Sequence, residues 1–397
     1  MSGGSYAVLL VLFGSTGGGN VPLLHKIAGV VVVCAVILGL TLPGGRKERG
    51  KENVAQRAGA ASQVTPTAQA AKAGVTPGPG APGASGSATP SVTVSTPIPA
   101  AAAAAVAAKA NELGQIPVLM YHRIMKKPEL SLDRSSKELY DELTGLARDG
   151  YYPITAAEFV SGRIDVPAGR HPVVLTFDDS TPGHFGLDPQ GNPAPDTAVA
   201  VIEQVARENP GFRPVATFYL NKELFGMDDT QAAAGLRWLR QHGFELGNHT
   251  VSHPSLSGMS EKGVHKEIGD MEDRIVRLTG AHATTFAYPF GAVPKKKAWA
   301  EKQDGRYAFQ GIFLAGWRPS ISPFDADFDR WNIDRVRSEG KIKENDCTKY
   351  CSTAWLEYLD KNPGERYTSD GDPNTVTFPK AAEDRLAKQY RGFARTY

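Results

Sequence analysis

Apolar positions divide this chain into three stretches. From Ile27 to Leu42 they run almost unbroken, and Leu23 and Leu24 extend them past His25 and Lys26. From Asn53 to Ala110 they give way to Ala, Pro, Gly, Ser and Thr. From about Gln115 onward, short apolar runs alternate with segments whose apolar residues recur every three or four positions. The runs predict strands at Pro117–Tyr121, Val173–Phe177, Ala216–Leu220, Phe244–Gly247, Thr285–Tyr288, Gly311–Leu314 and Asn332–Val336. The longer periodic segments predict helices at Ser136–Arg148, Ala198–Glu208, Gln231–Gln241 and Ser260–Thr279. In the last of these, Val264, Ile268, Met271, Ile275 and Leu278 fall on one stripe, and Gly280 suits the left-handed residue that ends a helix. Strand–helix alternation predicts a parallel barrel or a doubly wound sheet. Such folds gather their functional groups at the C-terminal ends of the strands.

The first two stretches carry no such pattern. Residues 23–43 read as a transmembrane signal anchor or uncleaved signal peptide, with no obvious small-x-small cleavage site after them. The N-terminal segment 1–22 contains a second apolar run, Tyr6–Phe13, too short to cross a bilayer alone. Residues 44–112 read as a disordered linker: they hold no aromatic residue with which to build a core. The folded domain is then 113–397. Arg46, Lys47, Arg49 and Lys51 follow the apolar run Ile27–Leu42, against His25 and Lys26 before it, and the positive-inside rule alone would keep the domain in the cytoplasm. A stalk between anchor and domain argues the other way. The expectation is a single-pass cell-membrane protein with its folded domain outside. A net charge of +2 offers no field for nucleic acid. Of the three cysteines, Cys347 and Cys351 are spaced for a local disulfide in an oxidising compartment, or are two free thiols.

Candidate chemistry sits where predicted strands end. Asp178-Asp179 follows Val173–Phe177; the pair either caps a turn or offers one carboxylate to a cation and the other to water. His249 and His253 follow Phe244–Gly247 in His-Thr-Val-Ser-His, and four-residue spacing in a helix or tight turn puts both imidazoles on one face. Together with Asp179 they make a two-histidine, one-carboxylate face with open positions. Asn248 and Ser252 are placed to hydrogen-bond behind it. His122, after Ile116–Met120, is a strand-end histidine with a structural hydrogen bond or a general acid. Tyr288-Pro-Phe-Gly291 is a turn that closes a strand, or an oxyanion site at the Phe290 N–H with Gly291 allowing close approach.

Thr-Phe-Asp-Asp, His-x-x-x-His and Tyr-Pro-Phe-Gly, over roughly Ile116 to Val336, resemble the three motifs of the polysaccharide deacetylases, the NodB-like domain of carbohydrate esterase family four. The resemblance implies a distorted (β/α) barrel of about seven strands and a divalent ion, most simply zinc, with cobalt or nickel as alternatives. It implies Asp178 as general base and Asp179, His249 and His253 as metal ligands. Ile116-Pro-Val-Leu-Met-Tyr-His-Arg-Ile124 resembles the subgroup acting on poly-N-acetylglucosamine, whose acid histidine comes early; His122 matches it, and no histidine follows Arg337. Ala287 stands where the family usually has the arginine that steadies the base, and Arg335 is the candidate substitute. Ser180 replaces the usual glycine, and the insertion Thr181–Pro195 is either a lip over the groove or a loop.

These readings converge on metal-dependent removal of N-acetyl groups from an N-acetylglucosamine-containing glycan at the cell surface. The alternatives are an O-acetyl esterase or amidase on another acetylated substrate, or a non-catalytic glycan-binding wall protein. Trp317, Trp331, Trp355 and Tyr358 either line the substrate groove or pack in the core.

Overall fold

The structure, a computed structural model, describes residues 97–339 and 351–397. The proposed anchor, most of the stalk, Cys34 and Cys347 lie outside the described residues. Among the described residues no helix is long and apolar enough to cross a membrane.

The described residues begin with a short helix α1 (Ala103–Ala107) and then alternate: β1 (Val118–Tyr121), α2 (Ser136–Arg148), β2 (Tyr151–Ile154), α3 (Ala156–Ser161), β3 (His171–Phe177), α4 (Ala198–Glu208), β4 (Thr217–Leu220), α5 (Asp229–Gln241), β5 (Glu245–Asn248), α6 (Glu261–Thr279) and β6 (Thr285–Ala287). Then come α7 (Ala298–Glu301), a small antiparallel pair β7 (Lys302–Gln303) and β8 (Tyr307–Ala308), β9 (Gly311–Phe313) and β10 (Val336–Arg337). The C-terminal part adds α8 (Ser352–Lys361) and the parallel pair β11 (Val376–Phe378) and β12 (Ala394–Thr396).

The main sheet is parallel throughout, in the order β10-β1-β3-β4-β5-β6-β9, with β2 beside β3. A parallel bridge from Phe313 to Ile333 links β9 to the segment that becomes β10 and completes a distorted barrel. Its strands are buried on both faces, as parallel strands between helices must be. Period-two alternation sorts them into two cores. Leu119, Tyr121, Leu175, Phe177, Phe218, Leu220 and Phe286 pack under the helices. Val118, Val174, Tyr219, Ala287 and Phe313 face the other way, in a cluster shared with α3 and the C-terminal segment.

Helices α2 and α4 have the bounds expected from periodicity, and α5 and α6 come within two residues of them. Side-chain caps explain the sharp starts: Ser135, Thr197, Asp228 and Ser260 each accept a backbone N–H of the first turn. Strand β2 escapes a pattern reading because Pro153 sits inside it. Among the described residues it pairs only with β3, an edge position where proline is tolerated. The expected strand Asn332–Val336 shifts to Val336–Arg337, with Ile333 held only by its bridge.

One boundary needs correction. The linker expected to run to residue 112 ends earlier, because residues 97–112 fold onto the domain. Ala100 bridges to Thr396 and Asn111 to Thr368, and Ala105 and Ala110 are buried. Alanine-rich sequence lacks the bulk to signal a core of its own, yet its small side chains fit against one supplied by residues almost three hundred positions away.

Candidate metal and catalytic site

Strand β3 ends at Phe177, but its ladder continues for one residue, since Asp178 N–H donates to the Tyr121 carbonyl at 3.0 Å. Alternation therefore turns Asp178 to the same side as Val174 and Thr176. There it meets Arg335, which is fully buried just before β10. The two carboxylate oxygens of Asp178 each accept one guanidinium nitrogen at 2.7 Å, a bidentate fork. Arg335 is itself fixed by the Leu314 carbonyl at 2.6 Å and the Thr176 hydroxyl at 3.1 Å, and it lies over the Tyr219 ring. Burial alone would push the Asp178 carboxyl up. The Arg335 charge and its hydrogen bonds outweigh that, with help from His249, and hold it well below the usual carboxylate range.

At Asp179 the backbone turns left-handed (φ 75°), followed by Ser180 (φ 43°). The turn brings the second carboxylate round to the same pole. Ser180 tolerates the glycine-like position because it is tied on both sides: its hydroxyl pairs with the Asn221 side-chain oxygen, and its carbonyl accepts Phe225 N–H. The Asn221 amide in turn donates to Asp179 Oδ1 at 3.3 Å.

The histidines arrive by a second left-handed turn. His249 directly follows β5, and its N–H continues the ladder to the Leu220 carbonyl. Its Nδ1 lies 2.8 Å from the Ala287 carbonyl, which can only accept, so Nδ1 carries the proton and Nε2 keeps its lone pair. Burial lowers the His249 pKa despite the two carboxylates and favours this neutral form. Thr250 is left-handed (φ 66°), and its N–H donates to Asn248 Oδ1. The Thr250 hydroxyl then accepts His253 N–H, and His253 is left-handed as well (φ 56°). Behind this turn, Asn248 Nδ2 donates to buried Glu272 of α6 at 2.9 Å, while Ser252 donates to Glu267 through both N–H and hydroxyl.

The result is a converged donor set. One ligand atom each from Asp179, His249 and His253 lies within 4.8 Å of the others. Asp179 Oδ1 stands 3.4 Å from His253 Nε2 and 3.8 Å from His249 Nε2. Asp178 Oδ2 is also 3.8 Å from His249 Nε2, so the fourth group borders the same space. Two imidazoles and one carboxylate, with the outer nitrogen of His249 held by the Ala287 carbonyl, fit a divalent ion of zinc type. Asp179 and His253 remain partly exposed and Asp178 and His249 do not, which gives the set an open side.

The other expected residues fall around it. His122 lies just beyond β1, its Nδ1 buried without a hydrogen-bond partner among the described residues. Burial lowers its pKa, while Asp178 and Asp179 pull it up and Arg335 and His253 push it down, so these groups share one electrostatic neighbourhood. Phe290 is left-handed (φ 58°) in a short helical turn. Its ring is 69% exposed and stands edge-on to His253 at 4.5 Å, an apolar lip beside the ligands. Gly291 is needed there: a Cβ would come within 3.0 Å of Ala315 N.

The insertion after Ser180 is not a free flap at its start, because His184 and Phe185 are buried, while residues 189–192 are exposed. The four aromatics divide. Trp331 and Trp355 pack partly buried against the first core, whereas Trp317, Trp355 and Tyr358 line a separate cleft of about 540 Å³ that includes no residue of the donor set. Cys351 is disulfide-bonded, to a partner outside the described residues. Asn221 and Glu272 were not anticipated. An asparagine one residue past a strand end was the available signal for the first; nothing in the helix pattern marked the second.

Residues 165–309 match the family model described as polysaccharide deacetylase. The chain is 29% identical over 122 residues to peptidoglycan-N-acetylmuramic acid deacetylase PdaC of Bacillus subtilis, covering 30% of this chain and 22% of that protein. It is 23% identical over 172 residues to the peptidoglycan-N-acetylglucosamine deacetylase of Bacillus cereus, covering 43% of this chain and 55% of that protein. The chain thus spans between about a fifth and about half the length of these curated relatives. Among solved structures, the Streptococcus pyogenes deacetylase PplD in complex with acetate aligns over 61% of this chain and 97% of its own, with 19% identity and a TM-score of 0.47.

Proposed function

We propose, from the match of residues 165–309 to the polysaccharide deacetylase family model, that the protein is a metal-dependent hydrolase that removes acetyl groups from an N-acetylated glycan. The observation that carries this reading is the convergence of Asp179, His249 and His253 beside an Asp178 clamped by Arg335. A divalent ion held by those three residues would supply an acidified water and a polarised acetamide carbonyl. Asp178, kept ionised by Arg335, takes the proton from the attacking water. The Phe290 N–H donates to the oxygen on which negative charge develops. His122 passes a proton to the departing nitrogen. One water is consumed for each acetate and free amine produced.

We place the substrate among N-acetylglucosamine polymers because of the early Met-Tyr-His motif at His122, and zinc first among the ions because of the donor set. The apolar segment 23–43 and the stalk after it support a catalytic domain held outside the cell membrane.

The test is acetate release from a panel of acetylated glycans, before and after chelation and with zinc, cobalt or nickel restored. Chelation abolishes release and one of the three ions restores it. Asp178→Asn retains the metal and loses turnover; normal turnover in that variant would exclude Asp178 as base.

A further inference from the structure

His184 has no role in the reading above, yet among the described residues it is the most deeply buried histidine outside the donor set. It comes from the start of the insertion after Ser180. Three phenylalanine rings surround it, Phe177 at 5.3 Å, Phe218 at 6.0 Å and Phe225 at 6.4 Å between centroids. Its Nε2 lies 2.5 Å from the backbone carbonyl of His122. A carbonyl only accepts, so Nε2 carries the hydrogen. The other ring nitrogen is buried without a hydrogen-bond partner among the described residues. Leucine or phenylalanine would fill such a pocket with no nitrogen left unsatisfied, so apolar packing alone does not select histidine.

What the imidazole adds is one N–H aimed at one carbonyl. That carbonyl needs it. The ladder from β1 to β3 ends at Tyr121, whose carbonyl accepts Asp178 N–H, and the Met120 carbonyl accepts Ser338 N–H. His122 is the first residue beyond these pairings. The insertion grips the same stretch a second time at Gly183, so close to Ile124 that a Cβ would come within 1.8 Å of its carbonyl oxygen.

We propose that His184 is a positioning residue for His122: its Nε2–H fixes the strand-end backbone that carries the proton-donating ring. The proposal rests on the reading of His122 as the acid. A residue that only satisfied a buried carbonyl would serve every substrate alike. A residue that positions the acid matters only where the leaving group needs a proton.

Two substrates separate these cases: an N-acetylated chitooligosaccharide, whose amine must be protonated, and para-nitrophenyl acetate, whose phenolate departs unprotonated. The full chain loaded with zinc is assayed as wild type, His184→Leu, His184→Gln and His122→Ala. His122→Ala loses roughly a hundredfold or more on the oligosaccharide and little on the ester. His184→Leu loses about tenfold in kcat on the oligosaccharide, with KM, zinc affinity and ester hydrolysis within about twofold of wild type. His184→Gln, which keeps an N–H donor, recovers most of the loss. Equal losses on both substrates, a loss of zinc binding, or unchanged kcat in His184→Leu would overturn the proposal. If His122→Ala shows no selectivity for the amide, the acid assignment falls and this proposal with it. If wild type releases no acetate from the oligosaccharide yet cleaves the ester, the glycan reading fails and positioning by His184 is overturned for that reaction.

Discussion

Asp178 and Arg335 show how one buried pair sets the chemistry of a pole. A carboxylate 2% exposed, beside two imidazoles, would take up a proton or leave the interior if it stood alone. Arg335 removes that choice with two parallel hydrogen bonds, and two of its three remaining N–H donors go to Leu314 and Thr176. The arginine reaches Asp178 from just before β10, more than 150 positions later, rather than from position 287, whose backbone carbonyl instead holds His249. Breaking a buried pair strands the other charge. Arg335→Met is therefore expected to lower unfolding free energy by about 3–5 kcal/mol and to reduce acetate release more than it reduces zinc binding. Urea denaturation and a metal titration on the same variant check both parts. Retention of full stability would show that the Asp178 carboxylate does not depend on this partner.

At the scale of elements, the strands deliver side chains to one end and the turns after them do the aiming. Five non-glycine residues near the site adopt left-handed backbone: Asp179, Ser180, Thr250, His253 and Phe290. Such conformations are costly and persist where the surroundings hold them. The His-x-x-x-His segment is not a helix. Its two imidazoles meet because Asn248 and Thr250 fold it back on itself, and because α6 grips it through Glu267 and Glu272. Asn248→Ala removes the acceptor for Thr250 N–H and the donor to Glu272, while leaving every proposed ligand in place. Zinc affinity is expected to fall about 10- to 100-fold, the usual effect of losing an outer hydrogen bond to a metal site. Competition against a chromophoric chelator measures it, and unchanged affinity would mean the turn holds without Asn248.

For the whole domain, its first and last segments matter. Residues 97–115 and the C-terminal segment pair at Ala100–Thr396, Asn111–Thr368 and Gln115–Arg366, and join the second core. Inside this clasp lies Glu112, 2% exposed. It accepts Thr377 N–H at 2.8 Å and the Tyr367 hydroxyl at 3.1 Å. Burial and the neighbouring Asp370 carboxylate push its pKa from 4.5 up to about 8. The folded value lies above the unfolded one, so the folded state binds the extra proton. The contribution of this carboxyl to stability is complete below pH 4.5 and is lost as pH rises through about 8. Glu112→Gln is neutral at every pH. The unfolding free energy of wild type minus that of Glu112→Gln is expected to fall between pH 5 and pH 8, measured by denaturant titration at several pH values. A difference that stays constant across that window would remove Glu112 as the titrating group.

The sequence by itself determined the alternation of parallel strands and helices, because burial on both faces of a strand and on one stripe of a helix writes directly into local pattern. It also placed the carboxylate pair, the two histidines and His122 just past strand ends, since each follows a visible apolar run. Only the tertiary structure decided which of these groups meet. The distances among Asp179, His249 and His253 depend on left-handed turns in non-glycine residues, which no periodicity marks. Arg335 had a sequence signal, but its pairing with Asp178 depends on barrel register. Asn221, Glu272 and His184 act through hydrogen bonds to residues far away in the chain, and the folding of residues 97–112 depends on a surface built by the C-terminal segment. Local pattern records what each segment buries; it carries no record of which distant segment receives it.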